Sequence, residues 1–178
     1  YVFQSATLLE WRNVLKNVLL PLEMAGVSRK VAVPKAEAMI ERVGLTDFTK
    51  HFPRQLSGGM QQRVAIARAL AYEPDVLLMD EPFGALDAQT RSLMISDLSR
   101  IHRETGKTVL FVTHSVEESI LLSDRIFLFS ARPASIKTVF NIELPHPRKV
   151  TDDGFREIQK KVIEDLSDEV DKINTLES

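Results

Sequence analysis

The chain has 178 residues, of which 44% are apolar, enough to bury a substantial core. Its 23 basic and 25 acidic side chains leave a net charge of −2, which gives no electrostatic ground for binding nucleic acid, and the lack of cysteine excludes disulfides and thiolate metal sites. The first residues lack the regions of a signal peptide, and no stretch approaches the roughly 18 to 20 apolar residues that span a bilayer, so attachment to a membrane is expected to come through a partner.

The first section, from about Thr7 to Gln55, has a helical pattern broken by punctuation. Trp11, Val14, Leu15 and Val18 share one face, Pro21 interrupts it, and Gly26-Val27-Ser28 ends it. Trp11 and Leu15 read equally as core packing or as partner contacts. A second helix is expected from about Pro34 through Ala36, Met39, Ile40 and Val43 to Gly44. Next comes Leu56-Ser57-Gly58-Gly59-Met60-Gln61, with Ser57 as N-cap of a helix whose Met60, Val64, Ala67 and Ala71 fall on one face and whose Gln62, Arg63 and Arg68 fall on others. Without Cβ atoms, Gly58 and Gly59 let backbone N–H groups approach a ligand closely, and an open helix N-terminus of this kind attracts phosphate.

Tyr72-Glu73-Pro74 stops that helix, and the unbroken apolar run Val76 to Met79 suits a parallel strand buried on both faces. Asp80 and Glu81 stand at its carboxyl end, where open α/β sheets bind ligands. By itself Asp-Glu-Pro after a strand is an ordinary turn. In nucleotide hydrolysis such a pair divides the work: Asp80 would hold Mg2+ and Glu81 would polarise the attacking water. A helix from about Ala88 to Thr105, with Leu93, Met94, Leu98 and Ile101 inward and Gly106 as C-cap, leads to a second buried strand, Thr108 to Thr113, which ends at His114 and completes a right-handed βαβ unit. Ser115-Val116-Glu117-Glu118 reads as a capping box opening a short helix. Arg125 to Phe129 and Ile136 to Leu144 are expected to form a hairpin at the sheet edge. After Pro145-His146-Pro147-Arg148, an amphipathic helix begins near Phe155, with Ile158, Val162, Leu166, Val170 and Ile173 in register, and is expected to cover the domain's own surface.

Taken together these residues resemble the ATPase subunits of ATP-binding cassette (ABC) transporters. Leu56 to Gln61 is similar to the family signature, Val76 to Glu81 to the Walker B strand with its catalytic glutamate, and Ala85-Leu86-Asp87 to the D-loop; His114 matches the switch histidine and Gln4 the Q-loop glutamine. Each has an ordinary reading, as a structural histidine, a surface glutamine or a helix-capping aspartate, and their order and spacing carry the resemblance. It implies an α/β P-loop NTPase (RecA-like) fold with a helical subdomain, acting with ATP and Mg2+. It further implies catalysis by Glu81 and His114, metal contacts from Asp80 and Gln4, and nucleotide contacts from Gln4, Ser57, Gly58, Gly59, Gln61 and Asp87. In the family two ATPase subunits clamp ATP head to tail, so the signature would touch the γ-phosphate held by the opposite subunit. Gln4 would report nucleotide state to a transmembrane permease, and a substrate-binding protein would take part indirectly. The expected place of action is the cytoplasmic face of the cell membrane.

Trp11-Arg12-Asn13-Val14-Leu15, Asn17 to Glu23 and Ser130-Ala131-Arg132-Pro133 are similar to importers of the nitrate, sulfonate and taurine type. The resemblance implies four segments: residues 1–6 as a Q-loop strand remnant, 7–73 as the helical subdomain ending in the signature helix, 74–144 as the core, and 145–178 as a C-terminal extension. A non-transport ABC ATPase and a nucleotide-free interaction module are the alternatives.

The family's P-loop, G-x-x-x-x-G-K-[ST], does not occur among the 178 residues. Gly106-Lys107-Thr108 is no substitute, because Ile occupies position 101 and the triplet ends a helix and opens a strand. Charge-assisted hydrogen bonds contribute about 1.5–3 kcal/mol each, so lacking the several that a P-loop supplies removes on the order of 10 kcal/mol of phosphate interaction. Micromolar binding amounts to roughly 8 kcal/mol. The expectation is an N-terminally truncated importer ATPase that does not turn over ATP by itself, with an incomplete sheet whose apolar faces stay open.

Overall fold

The computed structural model describes residues 1–176, with side chains described through Ser167 and at Glu169. The chain divides into two compact units, Tyr1–Val112 and Thr113 onward.

The first unit opens with a short extended segment in which Val2 makes one parallel bridge to Met79. Helices α1 (Val14–Met24), α2 (Arg29–Arg42) and α3 (Gly58–Ala71) then pack pairwise on one another. Val14, Val18 and Leu22 of α1, Ala36 and Ile40 of α2, and Val64 and Ala67 of α3 are buried, each large apolar side chain contributing about 1.5–3 kcal/mol.

Helix α1 starts at Val14, well after Thr7, because Asn13 caps it by accepting from the Lys16 N–H at 2.9 Å. The buried Asn17 amide holds the preceding loop in place: its Oδ1 accepts from the Leu9 N–H at 2.8 Å and its Nδ2 donates to the carbonyls of Leu9 and Arg12 at 3.1 and 2.8 Å. That loop carries Trp11 outward to 74% exposure, which corrects the core reading of Trp11. Pro21 lies inside α1 instead of breaking it, and the last turn closes through the Ala25 N–H on the Pro21 carbonyl at 3.1 Å. Helix α2 begins five residues before Pro34, which it contains.

Strands β1 (Val76–Asp80) and β2 (Thr108–Val112) pair in parallel, with Val76 opposite Thr108 and Asp80 opposite Val112. Helix α4 (Ala88–Thr105) joins them as anticipated and ends at Gly106, whose φ of 61° is the left-handed conformation of a C-cap. Its inward residues are Met94, Ile95, Leu98 and Ile101; Leu93 points out. Among the described residues the strands are covered on one face only. Leu77 and Met79 are buried, whereas Val76, Leu78, Leu110 and Val112 are exposed, so the two-faced burial read from the apolar run is corrected and the open apolar face is present. Arg63 of α3 ties the helices to α4, with Nη2 on Asp97 at 2.8 Å and Nη1 on the Val43 carbonyl at 3.2 Å.

The second unit contains α5 (Val116–Leu122), β3 (Arg125–Phe129), β4 (Ile136–Asn141) and α6 (Asp153–Leu176). The antiparallel hairpin β3–β4 forms its own two-stranded sheet rather than an edge of the parallel one, and β4 stops at Asn141. Ser115 Oγ caps α5 by accepting from the Glu118 N–H at 3.3 Å. The reciprocal bond of a capping box is replaced: Thr113 Oγ1 accepts from the Ser115 N–H at 3.0 Å and donates to Glu118 Oε2 at 2.6 Å. Phe155 and Val162 of α6 pack into a core with Ile120, Ile126 and Ile142, so this helix covers its own unit as anticipated. The Val170 and Ile173 side chains of the expected register lie outside the described residues.

Arg148, read from sequence only as part of a break, is the polar centre of this unit. It is 8% exposed and donates to four carbonyls: Nη1 to Ile120 at 2.6 Å and Ser123 at 2.7 Å, Nε to Leu144 at 2.9 Å and Nη2 to Ile142 at 3.2 Å.

Candidate functional site

Ser57 is extended (φ −66°, ψ 161°) and its Oγ accepts from the Met60 N–H at 3.3 Å, while its carbonyl takes the first intrahelical bond, from the Gln61 N–H at 2.9 Å. The amides of Gly58 and Gly59 are therefore at the helix end with no intrahelical partner. A Cβ at Gly59 would lie 2.3 Å from Thr90 Cγ2, and one at Gly58 would lie 3.7 Å from Leu86 Cδ2. Glycine at 59 thus lets the start of α3 touch the start of α4, bringing Ser57–Gly59 against the loop that contains Leu86 and Asp87. The Gln61 side chain faces the preceding turn, its Nε2 donating to the Pro53 and Leu56 carbonyls at 3.0 and 3.4 Å.

Asp80 ends β1 with its carboxylate exposed and accepting from the Tyr1 hydroxyl at 3.2 Å. Desolvation first, and the Asp80 charge second, push the Tyr1 phenol above its ordinary pKa. Glu81 follows with φ at 41°, a left-handed conformation rare for a residue with a side chain and one that marks stored strain. It is held there by its own N–H on the Val112 carbonyl at 2.9 Å and by the Gly84 N–H on its carbonyl at 3.0 Å. Buried Phe83, whose ring centroid is 5.6 Å from that of Phe111, anchors the loop beneath.

Gln4 lies over this loop: a Cβ at Gly84 would come within 2.7 Å of Gln4 Nε2 and 3.4 Å of the Glu81 carbonyl oxygen. The sheet therefore gathers Gln4, Asp80 and Glu81 at one end of β1. Asp87 caps α4, Oδ1 accepting from the Thr90 N–H at 3.0 Å. That hydrogen bond holds its carboxyl below the ordinary range. The cap is fully formed above the usual carboxylate pKa and is lost as pH falls through the depressed one. His114 is exposed and stands between β2 and α5 in the second unit.

Among the described residues no group of three or more His, Cys, Asp or Glu side chains forms a metal cage. One exposed carboxylate beside a second acid and an amide is the partial donor set that suits Mg2+ shared with phosphate oxygens, since Mg2+ is usually held by one or two carboxylates plus phosphates and water.

Sequence reasoning missed two side chains of α3 that support this arrangement. Gln62, placed on a face other than that of Val64 and Ala67, is 2% exposed and donates to the Phe3 carbonyl at 3.1 Å. Arg68 donates to the Ala6 and Thr7 carbonyls, both at 3.0 Å. The available signal was spacing: Gln62 stands three and four residues before the apolar Ala65 and Ile66, and Arg68 three after Ala65, so these side chains share a face with apolar ones.

Known proteins are similar to this chain over most of its length. A family model described as ABC transporter matches residues 1–84. An ABC transporter ATP-binding protein of Methanocaldococcus jannaschii is 51% identical over 95% of this chain and 63% of its own length. An aliphatic sulfonates import ATP-binding protein of Bacillus cereus is 44% identical over 92% of this chain and 64% of its own. A taurine import ATP-binding protein of Rhizobium johnstonii is 48% identical over 80% of this chain and 54% of its own. The chain thus spans less than two thirds of the length of these relatives.

Proposed function

The chain belongs to the ABC transporter family of ATP-binding proteins, and from that premise we propose that the whole protein binds and hydrolyses ATP to power import of a small sulfonate-, taurine- or nitrate-like solute across the cell membrane. The observation that carries this reading is the convergence of Gln4, Asp80 and the strained Glu81 at one end of β1. The names of the sulfonate and taurine import relatives support the solute class.

Asp80, exposed at the strand end, would hold Mg2+ together with Gln4. When bound, the ion neutralises charge on the phosphates. Glu81 orients and polarises the attacking water and accepts its proton, and the loop anchored by Phe83 keeps that carboxylate at the strand end. Ser57, Gly58 and Gly59 present a capped helix end to nucleotide held by a second ATPase subunit, Asp87 stands at the same interface, and His114 contacts the γ-phosphate in its own subunit. Gln61 contributes by fixing the turn that precedes Ser57. No helix among the described residues is long and apolar enough to cross a membrane. The proposed seat on the cytoplasmic face is on transmembrane permease subunits, with a substrate-binding protein delivering the solute.

The 178-residue chain contains no phosphate cradle of the P-loop kind, and we expect no hydrolysis from it alone. One experiment covers both statements: purify the whole protein from membranes and assay ATP hydrolysis in parallel with the isolated chain. Turnover is expected only in the fraction that also contains a multi-spanning membrane protein. Co-purification with DNA or ribosomes instead, or turnover by the isolated chain that disappears in its Glu81→Gln variant, would contradict the reading.

A further inference from the structure

Gln4 is flanked on both sides by bonds from a single helix. On one side Gln62 Nε2 donates to the Phe3 carbonyl at 3.1 Å; on the other the Arg68 guanidinium donates to the Ala6 carbonyl (3.0 Å), the Thr7 carbonyl (3.0 Å) and Thr7 Oγ1 (3.3 Å). Thr7 has φ at 43°, and a β-branched residue in the left-handed region is a true conformational outlier. Such strain persists only where the surroundings over-determine it. The Arg68 fork supplies that determination, since a planar guanidinium can reach two carbonyls and a hydroxyl at once. Partial burial lowers the Arg68 pKa, a desolvation cost that these three bonds offset. The helix making these bonds is α3, whose first turn holds Ser57, Gly58 and Gly59.

We propose that Arg68 and Gln62 are positioning residues that fasten the Gln4 segment to the helix carrying Ser57, with Thr7 as the strained pivot that Arg68 keeps closed. Motion of Gln4 and motion of the Ser57 end are then one motion, because both ride on α3. The proposal rests on the reading of Gln4 as a group acting on the water and metal of an ATP site. Misplacing such a group by about an ångström costs up to roughly 100-fold in rate while leaving substrate binding largely intact.

The test uses the whole protein with its membrane partners, as wild type, Arg68→Ala and Arg68→Lys, with Glu81→Gln as control. Backbone amide exchange is followed in residues 1–9 and across α1–α3, alongside kcat and the ATP KM. In Arg68→Ala, exchange is expected to rise at least tenfold in residues 3–9 and not in α1–α3, with kcat falling 10- to 100-fold and KM moving less than threefold. Arg68→Lys, able to reach fewer of the three acceptors, is expected to fall between. Unchanged local exchange overturns the clamp whatever the activity does. Raised local exchange with unchanged kcat overturns the positioning role. If Arg68→Ala unfolds the protein, Arg68→Lys decides: wild-type exchange and kcat in that variant overturn the proposal. Hydrolysis that survives Glu81→Gln would instead remove Glu81 from the chemistry, and the exchange measurement would still judge the clamp.

Discussion

Replacing Glu81 with Gln in the assembled protein is expected to lower ATP turnover by at least about 100-fold while leaving ATP binding intact, because general-base contributions run from roughly 100- to 10,000-fold. The substitution keeps the size of the side chain and the hydrogen bonds that hold the residue at its positive φ, since those bonds come from backbone atoms of Glu81, Val112 and Gly84. It removes the carboxylate that, in the proposed function, accepts the proton. Steady-state phosphate release and equilibrium nucleotide binding, measured on the same preparation, separate the two effects. Turnover within threefold of wild type would remove Glu81 from the chemistry.

Arg148→Ala is expected to destabilise the second unit by about 3–5 kcal/mol, because hydrogen bonds to a charged group contribute about 1.5–3 kcal/mol each, four are lost, and relaxation recovers part of the loss. Four carbonyls that now share one guanidinium would lose their donor, those of Ile120 and Ile142 in a buried setting and those of Ser123 and Leu144 in a part-buried one, each buried loss costing about 1–3 kcal/mol before relaxation. Those carbonyls belong to the end of α5, the residue after it, and the segment leaving β4, so the side chain ties α5 to the chain that leaves the hairpin. Arg148→Lys keeps the charge but cannot reach all four acceptors, and a smaller loss is expected. Denaturant unfolding, with amide exchange to localise the effect to α5 and the β3–β4 hairpin, reads both variants. A loss below about 1 kcal/mol for Arg148→Ala would show that the carbonyls find other donors.

These two residues differ in how visible they are in sequence. Glu81 announces itself, because an apolar run followed by two acids places them at the end of a strand, and strand ends are where α/β sheets bind ligands. Helix α4 was equally legible, since Asp87 caps its start and Gly106 its end, and both signals act within a few residues of the boundary. Arg148 gave no local signal. Its acceptors lie 4 to 28 residues away in the chain and converge only after α5 and the hairpin have packed. The start of α1 was misjudged for a similar reason: the apolar spacing of Trp11 with Val14 and Val18 fits a helix, but Asn17 captures the loop ahead of Asn13 with bonds that a periodicity count does not see. The strand pair shows the opposite error. Val76, Leu78, Leu110 and Val112 are apolar enough for burial on both faces, yet the described residues cover only the face of Leu77 and Met79. Composition reports what a strand can bury, and only the packing partners determine what it does bury.

In the site itself, the residue types were readable and their supports were not. Ser57 as N-cap follows from the sequence, whereas the contact of Gly59 with Thr90 depends on how α3 and α4 cross. Gln4 was identified by resemblance, and its place over Gly84 is a tertiary fact.

The central claim is that Ser57, Gly58 and Gly59 act on ATP held by a second subunit while Asp80 and Glu81 act on ATP in their own. Sedimentation of the whole protein carrying Glu81→Gln, with and without ATP, tests it most directly. A monomer that becomes a dimer on adding ATP is predicted, with the dimer lost when Ser57→Arg is added to the same variant. A molecular mass that ignores ATP, or an ATP-driven dimer indifferent to Ser57→Arg, would contradict it.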